Sequence, residues 1–136
     1  VRGISYAETI ERAEMALREV GLSHRLSSYP GNMSGGEQQR VAVARAIATA
    51  PSLILADEPT AALDSENGHA VMALLAEVAQ HKNRAVLAVT HDPRTHAYAD
   101  RIVRIEDGRI IGDENRPNAK GNVTQIDRTR KRKQNA

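Results

Sequence analysis

Two stretches decide how this chain is read: MSGGEQQR (Met33–Arg40) and LILADE (Leu53–Glu58), joined by the small-residue apolar segment VAVARAIATA (Val41–Ala50). Ser34 is followed three residues later by Glu37, the spacing at which a hydroxyl and a carboxylate satisfy the N–H groups that open a helix. Gly35 and Gly36 carry no side chains, so the remaining backbone donors are open to close approach by an anion, and the helix start adds partial positive charge. On its own the S-x-x-E pattern describes an ordinary helix cap; the motifs downstream point to phosphate.

Val41, Ala44, Ile47 and Ala48 recur at helical steps and form the expected inner face, with Arg40 and Arg45 outside it and Pro51 shortly after the end. Leu53 to Ala56 is a short apolar run of the kind expected for a strand buried on both faces of a parallel sheet. Such strands hold ligands beyond their carboxyl ends. Asp57 then stands where a carboxylate can orient the water shell of magnesium, a hard cation that takes few protein carboxylates. Glu58 can accept a proton from attacking water. The plain alternative is that both acids cap the turn before Pro59.

Asp64 or Ser65 is expected to start a further helix with Val71, Leu74, Leu75 and Val78 inward, and Ala85–Val89 reads as a second buried strand. The resulting β-α-β unit calls for parallel strands and a right-handed crossover. His91 follows the second strand on the same rim as Asp57 and Glu58, held before Asp92-Pro93, a cap and a first-turn proline. His24, His69, His81 and His96 have no such position and read as surface or satisfied core residues.

In this order and spacing the motifs resemble those of the ATP-binding-cassette (ABC) ATPases: Met33–Arg40 the signature motif, Leu53–Glu58 the Walker B strand, Ala61–Asp64 the D-loop, and Val89–Asp92 the switch-histidine loop. Ala61 stands where many family members have serine. The phrasing is most similar to the bacterial subgroup that serves macrolide export and lipoprotein release. The resemblance implies an α/β fold, the C-terminal part of a P-loop NTPase domain of ABC type, with parallel strands, flanking helices and a C-terminal β-hairpin. It implies ATP and magnesium as cofactors, Asp57 as the metal residue, and Glu58 and His91 as catalytic residues, the imidazole touching both the terminal phosphate and Glu58. Ser34, Gly35, Gly36, Glu37 and Asp64 are implied to bind nucleotide, the signature turn gripping the ATP of the opposite subunit in a dimer.

Upstream, Glu8 to Val20 reads as an amphipathic helix with Ile10, Ala13, Leu17 and Val20 on one face and Gly21 as its stop. The resemblance places it in the helical subdomain that faces a membrane subunit. Downstream, Ile102–Ile105 and Arg109–Ile111 around Asp107-Gly108 read as a hairpin. From Asp113 on the chain turns polar: seven Lys/Arg and three Asp/Glu give residues 113–136 a net +4, leaving −2 for 1–112 out of the total of +2. The expected organisation is a partial ABC domain over 1–112 and a disordered basic tail over 113–136. The tail lacks aromatic residues for base stacking, so no nucleic-acid partner is expected; a short basic end is most often only solvating, and beside a membrane its functional use is weak attraction to anionic lipid.

The chain has 136 residues, 40% of them hydrophobic, enough for one modest core, and no cysteine for a disulfide or thiolate metal site. No apolar run is long enough for a signal peptide or a membrane span. None of the nine glycines is followed by Lys, so the G-x-x-x-x-G-K-[ST] phosphate loop is absent from these residues, and no glutamine precedes the signature. The chain therefore reads as a fragment of a longer protein, with a natural truncation as the alternative. The function expected from the resemblance is the ATPase subunit of an ABC transporter, peripheral on the cytoplasmic side of the membrane, partnered by a second ATPase subunit and a transmembrane permease. A non-transport ABC ATPase and a non-catalytic truncated dimerisation or regulatory module are the other readings.

Overall fold

The computed structural model describes residues 3–81 and 83–116. The tail expected over 113–136 lies, from residue 117 on, outside the described residues. The chain divides at Tyr98/Ala99 into two compact units.

In the first unit, α1 runs Tyr6–Glu19, opened by Ser5, whose Oγ accepts the Glu8 N–H at 3.2 Å. The helix thus starts ahead of the expected Glu8. It ends as expected at Gly21, with φ +75°. There the Leu22 N–H reaches back to the Leu17 carbonyl at 2.8 Å and the Gly21 N–H to Arg18 at 3.0 Å, the paired bonds of a left-handed helix stop. The buried face differs from the expected stripe: Ala16 and Val20 are buried and Leu17 partly so, while Ile10 and Ala13 are exposed. Only the last turns of α1 meet the core.

α2, Gly35–Ile47, buries Gly36, Val43, Ala44 and Ile47. Val41 and Ala48, expected innermost, sit at the margin, and Val43 takes a central place. The helix is covered over more of its circumference than a single stripe, by α1 on one side and the following β-α-β unit on the other. α2 closes with Ala50 at φ +50°, and Pro51 stops its continuation.

β1 (Leu53–Asp57) and β2 (Ala85–Val89) pair in parallel, in register from Leu53↔Ala85 to Asp57↔Val89. They are joined through α3, Ser65–Ala79, capped by Asp64 and burying Val71, Met72, Leu75 and Val78. This is the expected β-α-β unit, but its strands are not buried on both faces. Ile54 is 5% exposed, whereas Leu53, Leu55, Leu87 and Val89 on the opposite face are 52–70% exposed. The alternation follows from the period of two: α2 and α3 cover one side of the pair.

In the second unit, β3 (Arg101–Glu106) and β4 (Arg109–Asn115) form an antiparallel hairpin. Asp107 (φ +48°) and Gly108 (φ +73°) supply the two left-handed residues of a tight primed turn. A register shift after Arg104 leaves Ile111 as the extra residue of a bulge. β4 continues past the expected 112 boundary, because Arg101 holds Asp113 through two bonds of 2.8 Å and Arg104 reaches Glu114 at 3.0 Å.

The sidedness of the β-α-β unit can be measured. Leu75→Ala should cost about 3 kcal/mol by urea denaturation, as for a buried leucine emptied to a cavity, and Leu55→Ser on the open face less than about 1 kcal/mol. Equal costs would contradict the one-sided burial.

Candidate nucleotide site

The rim at the carboxyl ends of β1 and β2 carries the acids and the histidine. The Glu58 N–H donates to the Val89 carbonyl at 2.8 Å, one rung beyond the last strand pair. Glu58 itself turns at φ +45°, a left-handed conformation that costs a non-glycine residue about 1 kcal/mol or more. Asp57, the last residue of β1, is exposed. Across the rim His91 Nδ1 lies 2.7 Å from Glu58 Oε1. That bond and the Glu58 charge raise the His91 pKa above 6.5. The contact between Glu58 and His91 implied by the resemblance is present, and it leaves Nε2 as the ring nitrogen turned away from Glu58.

Behind His91, Asp92 is gripped by Arg94, whose backbone N–H and Nε donate to Oδ1 at 2.9 and 3.0 Å and whose Nη2 donates to Oδ2 at 2.8 Å. These bonds hold the Asp92 pKa down to about 2. Arg94 Nη1 also donates to Ser65 Oγ at 2.7 Å, tying the histidine loop to the start of α3. The segment after Asp92 is the 3-10 helix Pro93–Tyr98 rather than an α-helix, with Thr95 buried and its hydroxyl returned to the Asp92 carbonyl at 2.7 Å.

The Ser34 turn forms the expected capping box. Glu37 N–H donates to Ser34 Oγ at 3.2 Å, and Ser34 N–H to Glu37 Oε2 at 2.8 Å. Arg25 Nε donates to Glu37 Oε1 at 2.8 Å. The Ser34 backbone bond and then Arg25 bring the Glu37 pKa down to about 2. Both Glu37 oxygens are thus engaged within the chain. Ser34 and Gly35 are exposed, while Gly36 is buried against α3, where an added Cβ would fall 2.9 Å from Asn67 Cγ. Asn67 in turn donates from its backbone at 2.9 Å and its amide at 2.7 Å to Asp64, whose pKa is lowered by these bonds. The signature turn and Asp64 therefore meet through Asn67. Among the described residues, no hydrogen bond or ion pair joins Ser34–Glu37 to Asp57, Glu58 or His91.

Sequence reasoning missed four of these side chains. Asn67 stands three residues after Asp64, and that D-x-x-N spacing was a usable signal. Gln38, for which the sequence suggests only a solvated position or one turned toward a neighbouring subunit, donates to the carbonyls of Pro30 and Met33 at 3.0 and 3.1 Å and so ties down the turn before the signature. No local pattern announces the bond of Arg25 to Glu37 or that of Arg94 to Ser65.

The ABC transporter family pattern matches residues 5–61. A Staphylococcus haemolyticus (strain JCSC1435) protein that carries the name hemin import ATP-binding protein HrtA is 47% identical over 108 residues, 79% of this chain and 49% of its own length. A Burkholderia thailandensis protein, macrolide export ATP-binding/permease protein MacB, is 48% identical over 119 residues, covering 88% of this chain and 18% of its own length. Among solved structures, a dimeric post-hydrolysis state of the ATP-binding cassette MJ0796 bound to ADP and Pi is 40% identical with a TM-score of 0.67, over 85% of this chain and 50% of that one. The chain is thus part of an ATP-binding cassette of the ABC transporter family. It spans about half the length of the cassettes it matches.

The pair of His91 and Glu58 has a pH signature. Because the folded His91 pKa is raised above 6.5, the stability it contributes is fully present below that value and is lost as pH rises through the folded pKa. Glu37 and Asp92 act in the opposite sense, their contributions present above 4.5 and 3.8 and lost as pH falls toward about 2. Glu58→Gln should return the His91 pKa toward 6.5 in an NMR titration, and an unchanged titration would show that the acid does not hold the ring.

Proposed function

We propose that this chain is the signature-to-switch half of the ATPase subunit of an ABC transporter, coupling ATP binding and hydrolysis to a membrane permease. The observation that carries the reading is the 2.7 Å approach of His91 Nδ1 to Glu58 Oε1 at the carboxyl ends of two parallel strands, in a chain that belongs to a cassette family.

Glu58, with one oxygen held by His91, takes the proton of the attacking water through the other. His91 fixes that carboxylate and presents Nε2 to the terminal phosphate. Asp57, exposed at the strand end, fits a cation held by one carboxylate together with water and phosphate oxygens. Magnesium, when bound, neutralises the charge that develops on the phosphates. Ser34, Gly35 and Gly36 offer the start of α2 to the ATP of a second subunit, Glu37 holds that turn in shape, and Asp64 shapes the interface between the two nucleotide sites. None of the nine glycines precedes a lysine, so the loop that cradles the β- and γ-phosphates comes from outside these residues. The open face of Leu53, Leu55, Leu87 and Val89 is the place for a further layer of the cassette, and the edges of the strand pair the place for further strands. Magnesium, the permease and a peripheral position on the cytoplasmic side of the membrane belong to this proposal. The organisation proposed is a partial cassette followed by a basic tail.

The 136-residue chain alone should release phosphate from ATP no faster than background; steady release abolished by Glu58→Gln would overturn this. In a cassette completed with the part of the Staphylococcus haemolyticus relative that the match leaves uncovered, Glu58→Gln should abolish turnover while trapping a nucleotide-bound dimer. Unchanged turnover would remove Glu58 from the role of base. Mixing a Ser34→Arg subunit with a Glu58→Gln subunit should place both defects in one composite site and restore some hydrolysis. A nucleotide crosslink from Ser34 to the ATP of its own subunit would refute the shared sites.

A further inference from the structure

Glu37 presents a difficulty that the geometry also resolves. Its carboxylate directly follows Gly36 and sits at the start of α2, where the proposed function brings in the terminal phosphate of a second subunit's ATP. Capping a helix start needs only an acceptor at this position, and glutamine supplies one as well as glutamate. A carboxylate adds a negative charge beside an anion site, and like charges at such separations repel enough to weaken binding about tenfold. The Glu37 side chain is only 13% exposed, so solvent screens it poorly.

Three groups meet this carboxylate. Oε2 accepts the Ser34 N–H at 2.8 Å, Oε1 accepts Arg25 Nε at 2.8 Å, and His24 Nε2 lies 3.8 Å from the same Oε1. Arg25 comes from outside α2, at the end of the 3-10 turn Ser23–Arg25 that follows α1. His24 is 66% exposed and more distant, so Arg25 is the permanent counter-charge.

We propose that Arg25 is a positioning residue for the phosphate-binding turn: its guanidinium neutralises Glu37 and holds it against Ser34, so that Ser34, Gly35 and Gly36 admit an anion beside a built-in acid. The proposal rests on the reading of that turn as a phosphate contact. It assigns Arg25 no contact with nucleotide. Its effect passes through Glu37, and removing the acid should remove the need for the arginine.

The test uses the completed cassette described above, with ATP as the probe. Arg25→Ala should raise KM for ATP about tenfold, with kcat at saturating ATP within about twofold of the parent. Adding Glu37→Gln to Arg25→Ala should bring KM back to within about threefold of the parent. A KM that Arg25→Ala leaves unchanged, or a raised KM that Glu37→Gln fails to restore, overturns the proposal, the second result marking a purely structural tie. Should Arg25→Ala not fold, Glu37→Gln with Arg25 intact decides the matter: a lowered KM supports neutralisation, and an unchanged or raised one overturns it. A parent cassette without Glu58-dependent hydrolysis overturns the proposed function and this inference together, so the two failures are told apart in the parent before any Arg25 variant is read.

Discussion

The Glu58 N–H bonded to the Val89 carbonyl at 2.8 Å is the interaction on which the candidate catalytic centre depends. Parallel pairing from Leu53↔Ala85 to Asp57↔Val89 brings the ends of β1 and β2 to one level, and this further rung carries the pairing one residue beyond β1. Glu58 can then adopt its left-handed backbone, φ +45°, because the ladder on one side and the buried Pro59 on the other hold it there. The turn aims the carboxylate across the rim to His91 instead of along the strand. Strain of this kind persists where surrounding structure over-determines the conformation.

The remaining polar architecture is built from helix starts. Ser5, Ser34 and Asp64 each accept a backbone N–H three residues on; at Ser34 the Glu37 carboxylate closes a capping box by accepting the Ser34 N–H, and at Asp64 the Asn67 amide donates a second bond to the capping carboxylate. Those two starts are then linked to other segments: Glu37 to Arg25, Asn67 to the buried face of Gly36, and Ser65 beside Asp64 to Arg94. Local capping is worth about 1 kcal/mol at each start, but here the same groups also set where the signature turn, the D-loop acid and the histidine loop stand relative to one another. Arginine suits these links because its guanidinium offers several donors in a rigid fork.

Much of this was legible in the sequence for reasons of local chemistry. The capping box at Ser34 and Glu37, the stop at Gly21, the turn at Asp107-Gly108 and the strand-helix-strand order of 53–89 depend on residues only a few positions apart, so spacing alone determines them. The inward positions Val71, Leu75 and Val78 of α3 followed from its period. The inner face of α1 and the two-sided burial expected for β1 and β2 did not hold, because burial depends on what lies across from an element. α1 reaches the core through Ala16, Leu17 and Val20 in its last turns, and α2 and α3 cover one face of the strand pair.

The sequence by itself determined the class of protein and the types of residue at its site: an acid pair after an apolar strand, a histidine after the next, and a Ser-Gly-Gly helix start. Only the tertiary structure decided which of those residues touch. His91 reaches Glu58 across 33 positions, Arg94 reaches Ser65 across 29, and Arg25 reaches Glu37 across 12. Contacts of that range are fixed by strand register and helix packing, which no local pattern encodes. The same packing set both oxygens of Glu37 against donors of its own chain, Ser34 N–H and Arg25 Nε.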